Sequence, residues 1–175
     1  VPTKQTAIEE NIKYLADSIY EMSNGAQKLG QVAIYTDGAM KDRADIIWQK
    51  DVGDSGEACW FNAYTGGRTS EKGPNKRIQH CDIGRNYPQY DTLSNPKTGG
   101  YTLGHEWGHY FFGLFDEYAQ GPASSTDSGD PLSTDAAVQN AIMNDSSEAL
   151  KGDYSWLNLS TSLNNKGSNA QFRKY

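Results

Sequence analysis

Apolar residues recur at Ile8, Ile12, Leu15, Ile19 and Met22, the three-and-four spacing that lays one greasy stripe along a helix. Thr6 and Glu9 stand three apart in a capping-box pattern, and Asn24-Gly25 supplies a stop. The spacing therefore predicts an amphipathic helix from Thr6 to about Gly25. Gln31 to Thr36 (QVAIYT), closed by the turn pair Asp37-Gly38, predicts a short buried strand on which that helix packs. Further short strands are predicted at Ala44 to Val52, around Cys59 to Tyr64, and at Lys76 to Gly84, each bounded by Gly, Pro or Asp. Asn86 to Gly100 (NYPQYDTLSNPKTGG) reads as turn chemistry throughout and delivers the chain to a second helix, Tyr101 to Phe112. Beyond it, Gly121 to Asp135 is an exposed Ser-, Asp-, Gly- and Pro-rich loop, and a modest helix is expected around Trp156 to Leu163. A helix followed by several strands and another helix points to an α/β (α+β) class, a twisted mixed sheet with helices on it.

At 175 residues the chain is expected to fold as one domain, residues 1–175. A formal charge of -6, with acidic residues scattered along the chain, argues against nucleic acid, which needs a clustered basic face. The most basic stretch, Arg68 to Arg77, is broken by Glu71, Gly73 and Pro74 and reads as a solvated loop. No apolar run approaches the length of about 20 residues that a membrane span requires. Val1 is not an initiator methionine and no apolar leader follows, as expected of a processed product or an excised domain. Two cysteines, Cys59 and Cys81, flank a polar loop; a disulfide between them would close roughly 20 residues and contribute about 3 kcal/mol. Such a bridge implies secretion or another oxidising, extracytoplasmic compartment.

The chemistry concentrates in Gly104 to Tyr118, GHEWGHYFFGLFDEY. His105 and His109 lie four apart on a predicted helix, so both imidazoles can face one ion, and two of the three histidines in the chain fall here. Glu106 lies about 100° round the helix from His105, within reach of a water on that ion without being a ligand. Three protein ligands with an open fourth position make a zinc site catalytic, and Glu106 is the general base that takes the proton of the water and returns it to the leaving amine. Gly113 lets the chain turn sharply after the helix. Asp116 just past that turn is the favoured third ligand, with Glu117 and the distant Glu148 as rivals.

HEWGHYFFGLFDEY resembles the zinc motif of metzincin peptidases, in which HExxH is followed by a glycine turn and a third ligand. More narrowly it is similar to the form HExxHxxxGxxDEY of the chloride-channel-accessory protein family and its microbial relatives. It departs from the commoner metzincin pattern by one extra residue before the glycine and by Asp in place of a third His. The resemblance implies His105, His109 and Asp116 as ligands of one catalytic zinc ion, Glu106 as general base and Gly113 as the turn. It also implies a Met-turn beneath the metal, for which Ala141-Ile142-Met143-Asn144 is similar at a fitting distance, with Met143 as its methionine. The fold it implies is a metzincin-like zincin: an upper subdomain over residues 1–112, an active-site helix at the cleft, and a small irregular lower subdomain over residues 113–175.

The remaining singular residues are weaker. His80, on a short strand beside Cys81, is expected to be a structural or surface residue and not a ligand. Tyr110 and Tyr118 could lend a hydroxyl to an oxyanion or simply pack in the core or at the rim. The strand Arg77 to Gly84 could form a cleft edge that holds an extended peptide by main-chain hydrogen bonds. Asn144 and Asn158 stand in glycosylation patterns, and the Asp-rich loop Asp127 to Asp135, where calcium could sit, lacks a recognised ligand pattern. The expected activity is zinc-dependent hydrolysis of a protein or peptide substrate by a monomer. The alternatives are a zinc-stapled binding module without catalysis, and an HExxH peptidase whose third ligand is a downstream Glu.

Overall fold

The computed structural model of the protein describes residues 4–49, 61–64, 66–67, 77–84, 87–114 and 142–143. Within them the order is helix α1 (Lys4–Met22), strand β1 (Ile46–Gln49), strands β2 (Ile78–Cys81), β3 (Ile83–Gly84) and β4 (Tyr87–Asp91), and helix α2 (Pro96–Tyr110). The fold is a small mixed α/β arrangement. β1 and β2 run parallel with Ile46 opposite Ile78 and Gln49 opposite Cys81, and β3 and β4 form an antiparallel pair. Among the described residues no helix is long and apolar enough to cross a membrane.

The two helices pack against each other, and the face α1 turns inward differs from the apolar stripe. Its buried residues are Ala7, Asn11, Leu15, Ser18, Ile19 and Met22, while Ile8 and Ile12 are only half-buried. Small and polar positions enter the interface because α2 meets them with glycine. A Cβ on Gly99 would stand 2.7 Å from Thr92 Cβ, one on Gly100 would stand 2.5 Å from the Asn11 carbonyl oxygen, and one on Gly104 would stand 2.8 Å from Ser18 Cβ. Backbones that close leave room only for short side chains. The donors admitted there find partners: Asn11 Nδ2 donates to the carbonyls of Ala7 and Thr92, each at 2.8 Å, and the Ser18 hydroxyl donates to the Leu15 carbonyl. Below this contact Leu15, Ile19, Met22, Ile78, Tyr101, Leu103, Tyr110, Leu114, Ile142 and Met143 form one apolar core.

Polar links tie the sheet to both helices. The buried Asp82 accepts from Lys4 Nζ at 2.6 Å and from Trp48 Nε1 at 2.8 Å, fastening the start of α1 and β1 to the end of β2. The Thr92 hydroxyl donates to the Cys81 and Asp82 carbonyls. Tyr110 donates its hydroxyl to Asp45 Oδ1 at 2.6 Å, so the last turn of α2 is held to the start of β1. Cys81 is fully buried and disulfide-bonded. Cys59, the other cysteine of the chain, lies outside the described residues.

Three expectations need correction. The helix is already formed at Lys4, so Thr6 is an interior residue and not its cap; Glu9 instead accepts from the Gln5 side chain. Residues 31–36 are not a buried strand: Val32, Ile34 and Tyr35 are 46, 48 and 56% exposed, and among the described residues nothing pairs with them. Strand propensity reflects the fit of a side chain to a neighbouring surface, and here that surface is missing. The turn after them does form, with positive φ at Asp37 and Gly38 and the Ala39 amide bonded to the Thr36 carbonyl. Finally, residues 86–100 are not all turn, because β4 occupies 87–91 and α2 begins at Pro96. Proline suits the first helical position, where its fixed φ is already helical and its missing N–H is not needed. Gly99-Gly100, which reads as a turn, is the contact face of that helix.

The predicted helix around 156–163 and the loop 121–135 lie outside the described residues, as does nearly all of 113–175.

Gly100 offers a direct test of the close approach. At an unobstructed helix position, Gly→Ala gains about 1 kcal/mol. Here the added methyl would meet the Asn11 carbonyl oxygen and the Leu15 amide nitrogen, backbone atoms that cannot rotate aside. Gly100→Ala should therefore destabilise by about 1–3 kcal/mol, read as a lower urea midpoint at unchanged slope.

Candidate metal centre

α2 carries the three central residues of the motif. His105 is partly buried, and Glu106 and His109 are 6 and 7% exposed. Four residues of helix bring the imidazoles edge to face, with ring centroids 4.8 Å apart and planes at 88°. Their Nε2 atoms stand 3.2 Å apart. The far nitrogen of each ring is engaged by a main-chain carbonyl: His105 Nδ1 lies 2.8 Å from the Ile142 oxygen and His109 Nδ1 lies 2.7 Å from the Leu114 oxygen.

Those two carbonyls decide the tautomers. A carbonyl oxygen can only accept, so each Nδ1 must carry the proton and donate it. In a neutral ring Nε2 then carries the lone pair, and the two Nε2 atoms face each other across the short gap. Such an arrangement is repulsive unless something positive bridges it, either a proton on one ring or a cation held by both. Two nitrogens about 2.05 Å from a zinc ion at the tetrahedral angle are separated by roughly 3.3–3.4 Å, close to the separation found here. The donor set and its outer partners thus fit zinc: two neutral imidazoles, each oriented by a hydrogen bond to its second nitrogen.

The helix ends so as to create one of those partners. Gly113 takes φ of 69°, a conformation costly for residues with a Cβ, and its amide bonds the His109 carbonyl. Leu114 then returns its amide to the Gly108 carbonyl while its own carbonyl accepts from the His109 ring. Gly113 is therefore the turn after the helix that its position in the motif suggested. The Gly66 amide also donates to the His109 carbonyl at 2.8 Å, bringing residues 66–67 to the end of α2.

Met143 is fully buried against the same helix, its sulfur nearest of all to the place a Cβ on Gly108 would occupy. Asp116, Glu117, Tyr118 and Glu148 lie outside the described residues, as do Asn144, Asn158 and the loop Asp127 to Asp135. Among the described residues no three His, Cys, Asp or Glu side chains come together to hold an ion.

Other residues singled out by sequence have different roles. Tyr110 is buried, and its hydroxyl is committed to Asp45, so it is a core tie and not an oxyanion donor. β2 is not an open edge over its whole length, because β1 lies on one side and Asn62 bridges Gln79 on the other. Ile142 and Leu114 were not legible as partners of the site, since a main-chain acceptor leaves no mark on residue type. Gly100, Gly104 and Gly108, spaced by four in the sequence, were the one visible signal of the surface on which the site is built.

Neither a protein-family model, nor a curated protein, nor a solved structure matches the chain.

His80 stands apart from this centre. It is fully buried, with its ring 4.4 Å from that of Trp48 and 4.9 Å from that of Phe61, as expected of a structural histidine. Burial pushes its pKa down to about 3 from the usual 6.5, because the charged ring would lose its hydration. The folded state therefore keeps His80 neutral where the unfolded state takes up a proton. Its contribution to stability is complete above pH 6.5 and is lost as pH falls from 6.5 toward 3, at up to about 1.4 kcal/mol per unit. His80→Phe, neutral at every pH, should show a correspondingly shallower loss of unfolding free energy across that window in urea titrations. An unchanged acid slope would show that His80 is not what titrates.

Proposed function

We propose that the chain is a zinc-dependent endopeptidase of the metzincin type, and that the upper part of such a fold is what the mixed α/β arrangement represents. The observation that carries the reading is the pair of Nε2 atoms 3.2 Å apart, each made an acceptor by a carbonyl on the opposite nitrogen. Two imidazoles whose Nε2 atoms converge while each Nδ1 is held by a main-chain carbonyl have the orientation that a shared metal ion requires. The motif that contains them, with its glycine turn and the downstream Ile142-Met143 pair against the helix, supports the same class.

His105 and His109 would hold the ion, and Asp116, two residues beyond Leu114, would complete the set. A zinc ion so held supplies Lewis acidity toward a peptide carbonyl and brings the pKa of a water molecule to about 7. Glu106, next to His105 and buried, would take up a proton from the hydrolytic water and return it to the departing amine nitrogen. The low polarity of its surroundings, with Leu103, Leu114, Ile142 and Met143 in the adjoining core, strengthens such charge interactions relative to water. The substrate is a protein or peptide segment, and the enzyme itself acts in a secreted or other extracytoplasmic setting, where the disulfide of Cys81 persists.

Glu106→Gln separates catalysis from metal binding. The variant should bind one zinc per chain like the parent while cleavage of unfolded casein falls by at least about 100-fold. Retained cleavage would reject Glu106 as the general base. Asp116→Ala tests the third ligand by zinc stoichiometry: loss of tight binding is expected, whereas full retention would move the role to Glu117 or to a distant carboxylate such as Glu148.

A further inference from the structure

We propose that Gly108 is a positioning residue for the zinc centre: its bare Cα admits Met143 against α2 and thereby holds the Ile142 carbonyl on the ring of His105. The inference rests on the zinc reading above.

Gly104 and Gly108 are one helical turn apart and flank His105 on the same side of α2. A Cβ on Gly104 would stand 3.0 Å from Ile142 Cδ1, and one on Gly108 would stand 3.3 Å from Met143 Cε and closer still to its sulfur. Together the two glycines make a notch in which Ile142 and Met143 sit fully buried. The depth of that notch sets how near the backbone of residue 142 comes to the helix. At the observed depth the Ile142 carbonyl oxygen is 2.8 Å from His105 Nδ1, a normal hydrogen bond. A methyl group on Gly108 would meet the sulfur and terminal methyl of Met143, and because that side chain is fully buried, with no open surface to swing toward, on this proposal the displacement is carried into the chain and the Ile142 carbonyl is drawn back. His105 would then lose the acceptor that fixes its proton on Nδ1, and its Nε2 would no longer be reserved for metal. His109 would keep its own acceptor, because the Leu114 carbonyl arrives through the turn at Gly113 and not through the notch. Glycine inside a helix costs about 1 kcal/mol relative to alanine. Its presence at position 108 therefore needs a tertiary reason, and the seat of Met143 supplies one.

The test measures zinc affinity of the full chain by competition with a chromophoric chelator. Gly108→Ala should weaken binding by about 10-fold or more, the usual cost of losing an outer partner of a metal-bound histidine. Adding Met143→Ala to it should recover most of the loss by vacating the space the new methyl needs. Gly100→Ala crowds α1 instead and should lower stability while leaving the zinc Kd within about twofold of the parent, as expected of an independent site. Equal affinity in Gly108→Ala and the parent, or equal weakening by Gly100→Ala, would overturn the inference. A parent chain that binds no zinc would overturn the zinc reading itself, before any variant is compared. If Gly108→Ala does not fold, 15N spectra of the parent decide: His105 Nδ1 should be the protonated nitrogen in the metal-free and the zinc-loaded chain alike. A proton on Nε2 with Nδ1 bare would refute the role given to the Ile142 carbonyl.

Discussion

Glycines on α2 set the distance at which the rest of the molecule meets that helix. Gly99 and Gly100 receive Asn11, Tyr14 and Thr92, Gly104 receives Ser18 and Ile142, and Gly108 receives Met143. Each contact would be lost to a single methyl group. Close-packed interiors transmit a shift of that size to every neighbour, because there is no empty volume into which it can relax. The glycines cost helix propensity, and the packing they permit is what returns it. One consequence is that α1 buries short and polar side chains where its sequence advertises isoleucine.

The same constraint reaches the histidines. Their relative position is local, a property of any helix with residues four apart. Their protonation pattern is not local, since it depends on carbonyls delivered from two other places in the chain. One arrives through the left-handed turn at Gly113, the other through a segment almost forty residues downstream that lies in the glycine notch. Rings oriented in this way have one nitrogen spent on the protein and the other left as a lone pair. The two Nε2 atoms converge at the separation seen here, and a carboxyl group lies beside them in the sequence.

His80 provides an instructive contrast inside the same small protein. It too is buried, but it is wrapped by the rings of Trp48 and Phe61, and its environment suppresses charge without directing a lone pair outward. A histidine becomes a candidate ligand through the partner on its second nitrogen more than through burial as such. Asp82 and Asp45 show how the surrounding frame is held: each takes a donor from a distant element, fastening α1, β1 and α2 to the strand layer.

Much of the local architecture could be read from residue order. The first helix, the strands at 46–49 and 78–84, the histidine pair on a helix and the glycine turn after it all follow from periodicity and backbone preference, which act over a few residues. Where α2 begins was misread, because Pro96 and Gly99-Gly100 look like breakers until α1 is placed against them. The exposed run at 31–36 was misread for the converse reason: its residues favour a strand, but a strand requires a partner that propensity cannot provide. The sequence by itself determined which side chains could bind an ion and that two of them would share a helical face. Only the tertiary structure decided which nitrogen of each ring is bound to the main chain, because that depends on carbonyl oxygens whose positions are set by packing between segments far apart in the chain.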